Sequence, residues 1–400
     1  MFANHALSIL VACGIFIHGS DANNRRNVTK GSFDKLVINE HPNPLRHPSE
    51  RAKFGEVFTD HMLEYDWTNE TGWSSGTIKP FGPLQIHPAA KVLHYAIETF
   101  DGFKAYRGDD GKVRIFRLKD HLERFLKDAK RVLLPEFCVD ALAKAITKLV
   151  ELDKSWVPSG DLSALYIRPA MIATDPRIDI IPPNAAKLFV IMTPEPAEFL
   201  THHKEIKCLY ADAQYVRAFP GGVGAYKLGA NYAPALYVTK KANELGCEEV
   251  LWIHGAKQDI TEIGTQNFFA IFASKEPGKV ELATPPASSG LILAGMVRDT
   301  VLKLARDFDD VIVHEKYIDM EIIHATSDAG VLLGAFGTGT ALMMTPIRGI
   351  KFRDIDGNLE DIAIPHDSSE KGLFNRLKKA LLDVQYGRNA NHSEWITLVS

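Results

Sequence analysis

Cysteine is scarce in this chain: Cys13, Cys138, Cys208 and Cys247 are the only four in 400 residues. No two form a CxxC pair and no metal-ligand cluster surrounds them, so a zinc ribbon and a thioredoxin-type motif are excluded. So few cysteines in so long a chain predict a reduced protein without a disulfide framework. His202-His203 has no Cys, Asp or Glu at ligand spacing before Glu205 and reads as a solvated loop; no metal is expected. A polybasic run is also missing. Forty-six basic residues against 50 acidic ones leave a net charge of −4, which argues against nucleic acid and against an anionic membrane as partners. The apolar run at residues 6–17 is too short to span a bilayer, and with no Lys or Arg before it a secretory n-region is lacking. The first acidic residue is Asp21, with Arg25, Arg26 and Lys30 following. An acid-free start followed by basic residues fits a mitochondrial transit segment; a tail on a cytoplasmic protein is the alternative. There is no internal repeat, no low-complexity tract, no Walker motif and no GxGxxG fingerprint.

What is present is an ordinary globular composition, 46% hydrophobic and 24% charged, in a chain long enough for two domains. Residues 118–134 carry Leu118, Leu122, Phe125, Leu126, Ala129 and Leu133 at helical spacing, closed by Pro135. Residues 141–152 read as a second amphipathic helix, with strands at 113–116, 165–168 and 188–192. Residues 54–64 have strand-like spacing, and 94–106 read as strand and turn. Pro194, Pro196 and the His doublet bracket a polar connector. The reading is α+β, with residues 1–30 set aside, a small N-terminal domain at 31–195, a linker at 196–205 and a large C-terminal domain at 206–400. In the second half a helix is expected at 231–245, ended by Gly246. A strand at 249–253, a hairpin arm at 260–272, a helix from Gly295 to about Phe308, a small-residue turn at 336–341 and a closing helix at 369–386 follow.

Four features carry chemistry. Lys227 sits in the small-residue run Gly221-Gly222-Val223-Gly224-Ala225-Tyr226-Lys227-Leu228-Gly229-Ala230-Asn231-Tyr232, where glycines let a planar ligand approach and a lysine can serve as an amine nucleophile. Glu262 lies in an apolar β-rich stretch, so it is paired with a cation or faces solvent; a protonated ring nitrogen is one such partner. Gly295-Met296-Val297 opens a helix whose free N–H groups suit a phosphate. Gly337-Thr338-Gly339-Thr340 offers further N–H groups and hydroxyls. Taken singly, each has a plain structural reading: a surface lysine, a solvated carboxylate, an ordinary helix start, a turn. Together they match pyridoxal 5'-phosphate, which needs an amine for its aldehyde, a carboxylate for its pyridinium and anion-binding turns for its phosphate.

With these residues in place the chain resembles the branched-chain amino-acid aminotransferases of the eukaryotic type, within the fold-type IV pyridoxal-phosphate enzymes. The resemblance runs from about residue 33 to the C-terminus, through FGEVFTDHML, GGVGAYKLGANY, EEVLWIHG, ITEIGT, ELATPP and FGTGTA. It implies a two-domain fold, a small N-terminal α/β domain beside a larger β-barrel-like domain with helices. It also implies pyridoxal 5'-phosphate, a homodimer with the site near the subunit boundary, and reversible transamination of leucine, isoleucine and valine with 2-oxoglutarate. Lys227 matches the family's Schiff-base lysine, Tyr232 the tyrosine at the cofactor's phenolic oxygen and Glu262 the carboxylate at its ring nitrogen. Arg124, Met296, Val297 and Thr340 match the phosphate-binding positions. Phe54, Tyr95, Phe100 and Tyr166 match the aromatic pocket, although each is equally readable as plain core. Arg168 matches the arginine that helps admit the acidic partner, and Thr265 and Ala341 match positions beside the substrate carboxylate.

The chain departs from the family in three places. Leu342 and Thr345 stand where mammalian members carry a redox CxxC pair, so that thiol switch is expected to be missing. His121 replaces a common asparagine and Ala230 a frequent glycine. A D-amino-acid aminotransferase or an aminodeoxychorismate lyase of the same fold, a silent binding partner that intact Lys227, Glu262 and Arg124 argue against, and a phosphate-sugar enzyme without a Schiff base are the competing readings.

Overall fold

The computed structural model describes residues 31–45 and 53–400; the possible targeting segment in residues 1–30 lies outside them. Among the described residues the chain builds two sheets of ten strands each. The first uses β1 (Leu36–Ile38), β2 (His61–Thr68), β3 (Gly72–Trp73), β4 (Gly76–Pro80), β5 (Glu98–Phe100), β6 (Phe103–Arg107), β7 (Val113–Phe116), β8 (Ala164–Ala173) and β9 (Ala185–Glu195). The second uses β10 (Leu209–Asp212), β11 (Glu249–His254), β12 (Asp259–Ile263), β13 (Gln266–Ala273), β14 (Val280–Thr284), β15 (Val311–Glu315), β16 (Leu332–Gly339), β17 (Met343–Ile347), β18 (Gly349–Arg353) and β19 (Leu359–Ala363). The last strand, β20 (Ile396–Val399), returns to the first sheet, with Ile396 opposite Phe116 and Val399 opposite Val113. The closing four-residue strand therefore joins the N-terminal sheet, although the sequence reading grouped it with the second half.

The longest ladder is β8 against β9, antiparallel from Ala164 opposite Glu195 to Ala173 opposite Ala186. Side chains alternate across a strand, and here both faces have work to do. Leu165, Ile167, Met171, Leu188, Val190 and Met192 enter the first core. The opposite face carries Tyr166, Arg168, Ala170, Phe189 and Ile191. That first core is closed by α2 (Leu118–Arg131) and α3 (Val139–Leu152), which follow the short α1 (Lys91–Tyr95). Leu118, Leu122, Phe125 and Ala129 form the apolar stripe of α2, spaced four, three and four residues apart. A second buried stripe beside it is polar: His121, Arg124 and Asp128.

The linker region holds a short helix, α4 (Ala197–His202), in which the Nδ1 atoms of His202 and His203 lie 2.9 and 2.8 Å from the carbonyls of Glu198 and Phe199. In the second half α5 (Ala235–Glu244) begins later than the sequence suggested, because residues 229–231 form a 3-10 turn and Pro234 precedes the helix. Next come α6 (Met296–Arg306), α7 (Met320–Asp328) and α8 (Leu373–Gln385). A core cluster under α6 and α8 joins Phe269, Leu282 and Phe336 of the second sheet to Tyr106, Phe116 and Ala164 of the first, so the two sheets share apolar packing. Among the described residues no helix is long and apolar enough to cross a membrane.

Four sequence expectations are corrected. Residues 54–60 are not strand, and β2 starts at His61. His94-Tyr95 belong to α1, which ends at Ala96 with φ +49°. Residues 336–339 are strand rather than turn: Gly337 pairs with Phe268 on one side and Thr345 on the other, and the chain turns only at 340–342. Cys208 and Cys247 are joined in a disulfide. Parallel pairing of β10 with β11 brings Leu209 opposite Glu249, so two cysteines 39 residues apart meet at a Cα separation of 4.5 Å. Nothing in their spacing advertises this.

Leu377 of α8 is fully buried in the cluster shared by the sheets. Leu377→Ala is expected to destabilise the protein by about 2–5 kcal/mol through lost burial and the residual cavity, read as a lower denaturation midpoint in urea.

Candidate active site

A cavity of about 690 Å³ lies between the two sheets, within the size range of small-molecule and cofactor sites. Twelve of the fourteen residues singled out from the sequence line it: Phe100, Arg124, Tyr166, Arg168, Lys227, Tyr232, Glu262, Thr265, Met296, Val297, Thr340 and Ala341. Phe54 stands behind them, edge-on to Tyr166 at 5.2 Å. Tyr95 does not reach the cavity of its own chain; its hydroxyl donates to the Ile178 carbonyl at 2.5 Å.

The lysine is held by its backbone. Its N–H donates to Asp128 Oδ2 at 2.9 Å, and its carbonyl accepts from Thr99 Oγ1 at 3.0 Å and from the Phe100 N–H at 3.2 Å. The side chain is then placed with Nζ 3.1 Å from the Tyr232 hydroxyl and 4.8 Å from the centre of the Phe100 ring. The 3-10 turn at Gly229–Asn231 carries the chain from Lys227 to Tyr232. A Cβ on Gly229 would fall 1.7 Å from Glu98 Oε1, so a side chain there would push the Glu98 carboxyl aside. Glu98 also lines the cavity, and burial raises its pKa.

Arg124 is fixed by a fully buried carboxylate. Nε and Nη2 donate to the two oxygens of Asp101 at 2.8 and 2.7 Å, a bidentate fork, and Nη1 reaches the Ala294 carbonyl at 3.0 Å. His121 Nδ1 lies 2.8 Å from Asp101 Oδ1. Burial alone would raise the pKa of Asp101, but Arg124 and His121 hold it well below the usual carboxylate range. Burial lowers the pKa of His121. The bond to Ala294 ties Arg124 to the start of α6. There Gly295 is the N-cap, no described side chain caps the helix, and the free N–H groups and dipole favour an anion. A Cβ on Gly295 would sit 2.1 Å from Asn267 Oδ1. This close approach brings the helix start to the cavity wall.

Glu262 comes from β12, two residues before the Gly264-Thr265 turn into β13. It is 2% exposed, and its Oε1 accepts from the Leu293 N–H at 2.6 Å and from Asn267 Nδ2 at 3.3 Å. Oε2 faces Arg217 Nη2 at 3.2 Å. Burial raises its pKa, opposed by Arg217 and the Leu293 N–H. Arg217 was not foreseen, although a carboxylate in an apolar β-stretch demands a cation.

The substrate-facing wall is the free face of β8 and β9 together with β5. Arg168 Nη2 donates to the Tyr166 hydroxyl at 3.0 Å, and its guanidinium lies 4.7 Å from the Phe100 ring centre. Ala170, Phe189 and Ile191 complete an apolar surface that the sequence reading had not picked out. On the far side Lys104, buried against Glu195, donates to the Ala341 carbonyl at 2.8 Å and steadies the turn at the cavity edge.

The cavity thus combines an amine, a buried carboxylate, a cation beside an uncapped helix and an apolar wall, a set that suits a phosphorylated, nitrogen-ring aldehyde. Thr338 also lines this space, and its Oγ1 is buried without a partner among the described residues. Sequence comparison agrees with the site. Residues 98–350 match the amino-transferase class IV family model, and the chain belongs to that family. It is 42% identical over 339 residues to a cytosolic branched-chain-amino-acid aminotransferase of Caenorhabditis elegans, covering 84% of this chain and 81% of the relative. It is 40% identical over 363 residues to a mitochondrial branched-chain-amino-acid aminotransferase of Bos taurus, covering 90% of each. Among solved structures it superposes on the branched-chain amino acid aminotransferase from Thermobaculum terrenum in its PLP-bound holo form. The TM-score is 0.64 at 24% identity, covering 84% of this chain and 98% of that one.

Arg124→Leu is expected to leave Asp101 buried without its guanidinium, a loss of about 3–5 kcal/mol at pH 7. The native pair holds the folded-state pKa of Asp101 below its unfolded value, so its contribution is present above about pH 4 and lost on acidification. In the variant the orphaned carboxyl protonates more readily, so the stability gap between wild type and Arg124→Leu should narrow from about pH 7 to about pH 4.5 in paired urea melts.

Proposed function

We propose that the protein is a pyridoxal-phosphate-dependent aminotransferase that reversibly exchanges the amino group of leucine, isoleucine or valine with 2-oxoglutarate, giving branched-chain 2-oxo acids and glutamate. The observation that carries this reading is the cavity in which Lys227 meets Glu262, Arg124 and the start of α6, next to an apolar sheet face. When bound, pyridoxal phosphate supplies an aldehyde for an amine and a ring that withdraws electrons from the substrate Cα.

The residues divide the work as follows. Arg124, the Met296 and Val297 N–H groups and Thr340 would hold the phosphate. Glu262, kept from solvent and backed by Arg217, would hold a proton on the ring nitrogen. Tyr232, whose hydroxyl accepts from Lys227 Nζ, would donate that hydroxyl to the cofactor's phenolic oxygen. The Lys227 amine would take the proton from the substrate Cα as general base and give it back as general acid, and pyridoxal phosphate, when bound, would supply the electron sink. Phe100, Tyr166, Phe189 and Ile191 receive an aliphatic side chain, and the substrate carboxylate lies by Thr265 and Ala341. Arg168 stands beside the Tyr166 hydroxyl at the edge of the apolar wall. From there it serves the distal carboxylate of glutamate without placing a charge under leucine.

The same reading includes a homodimer, with Tyr95 directed away from its own cavity. Residues 1–30 read as a mitochondrial segment, with a cytoplasmic protein as the alternative; the curated relatives carry both designations.

Titrating the holoprotein with L-leucine should diminish its long-wavelength cofactor band, and 2-oxoglutarate should restore it. Lys227→Ala should do neither. A bound cofactor that ignores L-leucine would favour a lyase or a D-amino-acid aminotransferase instead.

A further inference from the structure

Asp128 has no part in the scheme above. It is fully buried at the end of the polar stripe of α2, one turn beyond Arg124. Its Oδ2 accepts the Lys227 N–H at 2.9 Å, while Oδ1 is buried without a partner among the described residues. A buried carboxyl with an idle oxygen costs free energy that an apolar residue at the same helical position would not. Burial pushes its pKa up to about 7, against the Lys227 N–H, Arg124 and Lys127, which favour its charged form, and with Asp101, which opposes it. Among the described residues the one hydrogen bond it makes is to the backbone of the lysine.

We propose that Asp128 is a positioning residue: together with Thr99 it hangs the Lys227 peptide from the N-terminal half of the chain and so sets where the lysine amine stands. This rests on the reading of Lys227 as the cofactor-bearing residue. Both polar groups of the Lys227 backbone end on that half, the N–H on α2 and the carbonyl on Thr99 and Phe100 of β5. Arg124 and Asp128 share one helix turn, so the distance between the phosphate cation and the lysine backbone is set by a rigid element rather than by the glycine-rich loop. Small displacements of a reacting group cost large factors in rate.

The test compares holoenzymes of wild type, Asp128→Asn, Asp128→Leu and Thr99→Val. Asparagine keeps an acceptor for the Lys227 N–H, and leucine keeps the branched outline, slightly enlarged, without it. Asp128→Leu is expected to lose about tenfold or more in kcat per bound cofactor, with KM for L-leucine within about threefold and a shifted pH midpoint of the cofactor absorption band. Asp128→Asn should restore kcat to within about threefold of wild type, and Thr99→Val should fall between. Wild-type kcat and band midpoint in Asp128→Leu would overturn the proposal even if its melting temperature fell, since that is what a merely structural role would give. So would an Asp128→Asn variant as impaired as Asp128→Leu. If Asp128→Leu fails to fold, Thr99→Val decides, and an unchanged kcat and midpoint there overturn it. A wild-type protein with no cofactor on Lys227 would instead defeat the functional reading.

Discussion

The carboxylate of Asp101 is the constraint on which the site hangs. It lies in the chain between β5 and β6, fully out of solvent, and its charge survives there because Arg124 neutralises it through two contacts and His121 Nδ1 adds a third. The cost of burying such a charge alone is prohibitive, so the pair specifies its own geometry. Arg124 is held at Nε and Nη2 and left with one arm, which reaches Ala294. Through that arm the first core is tied to the loop that starts α6, and the anion-binding end of α6 faces the cavity as a result.

From there the site is assembled from two halves that answer to different sheets. Lys227 comes from the second half of the chain, yet its backbone is bonded to β5 and α2 of the first. Glu262 is held wholly within the second half, by Arg217, Asn267 and the Leu293 N–H. The amine and the carboxylate therefore keep their spacing only while the sheets stay packed on each other. The apolar cluster under α6 and α8, which draws side chains from both sheets, does that packing. The return of β20 to pair with β7 adds a chain connection that keeps the halves together.

Much of this was legible in the residues. The apolar stripe of α2 follows from spacing, and the Lys227 loop announces itself by its glycines. The 260–272 hairpin was visible because Gly264-Thr265 sits between two apolar runs. The polar stripe of the same helix was not, since a buried His, Arg and Asp at helical spacing look like a solvated face until the partners are known. Glu262 was read as either paired with a cation or facing solvent, and Arg217 lies far back in the chain, before the lysine loop, with nothing local to link the two. Phe189 and Ile191 alternate with core residues along β9, and only the ladder with β8 shows which face lines the cavity. The turn at 336–341 was misplaced by composition: small residues read as a turn when paired strands on both sides were what held them extended. The Cys208–Cys247 pair depends on which strands run parallel, a property of topology rather than of spacing.

The most direct test of the account is to reduce the holoprotein with borohydride, digest it and map the modified lysine by mass spectrometry. A phosphopyridoxyl group on the peptide containing Lys227, and on no other, is the predicted result. A cofactor fixed to a different lysine, or none fixed at all, would contradict the account.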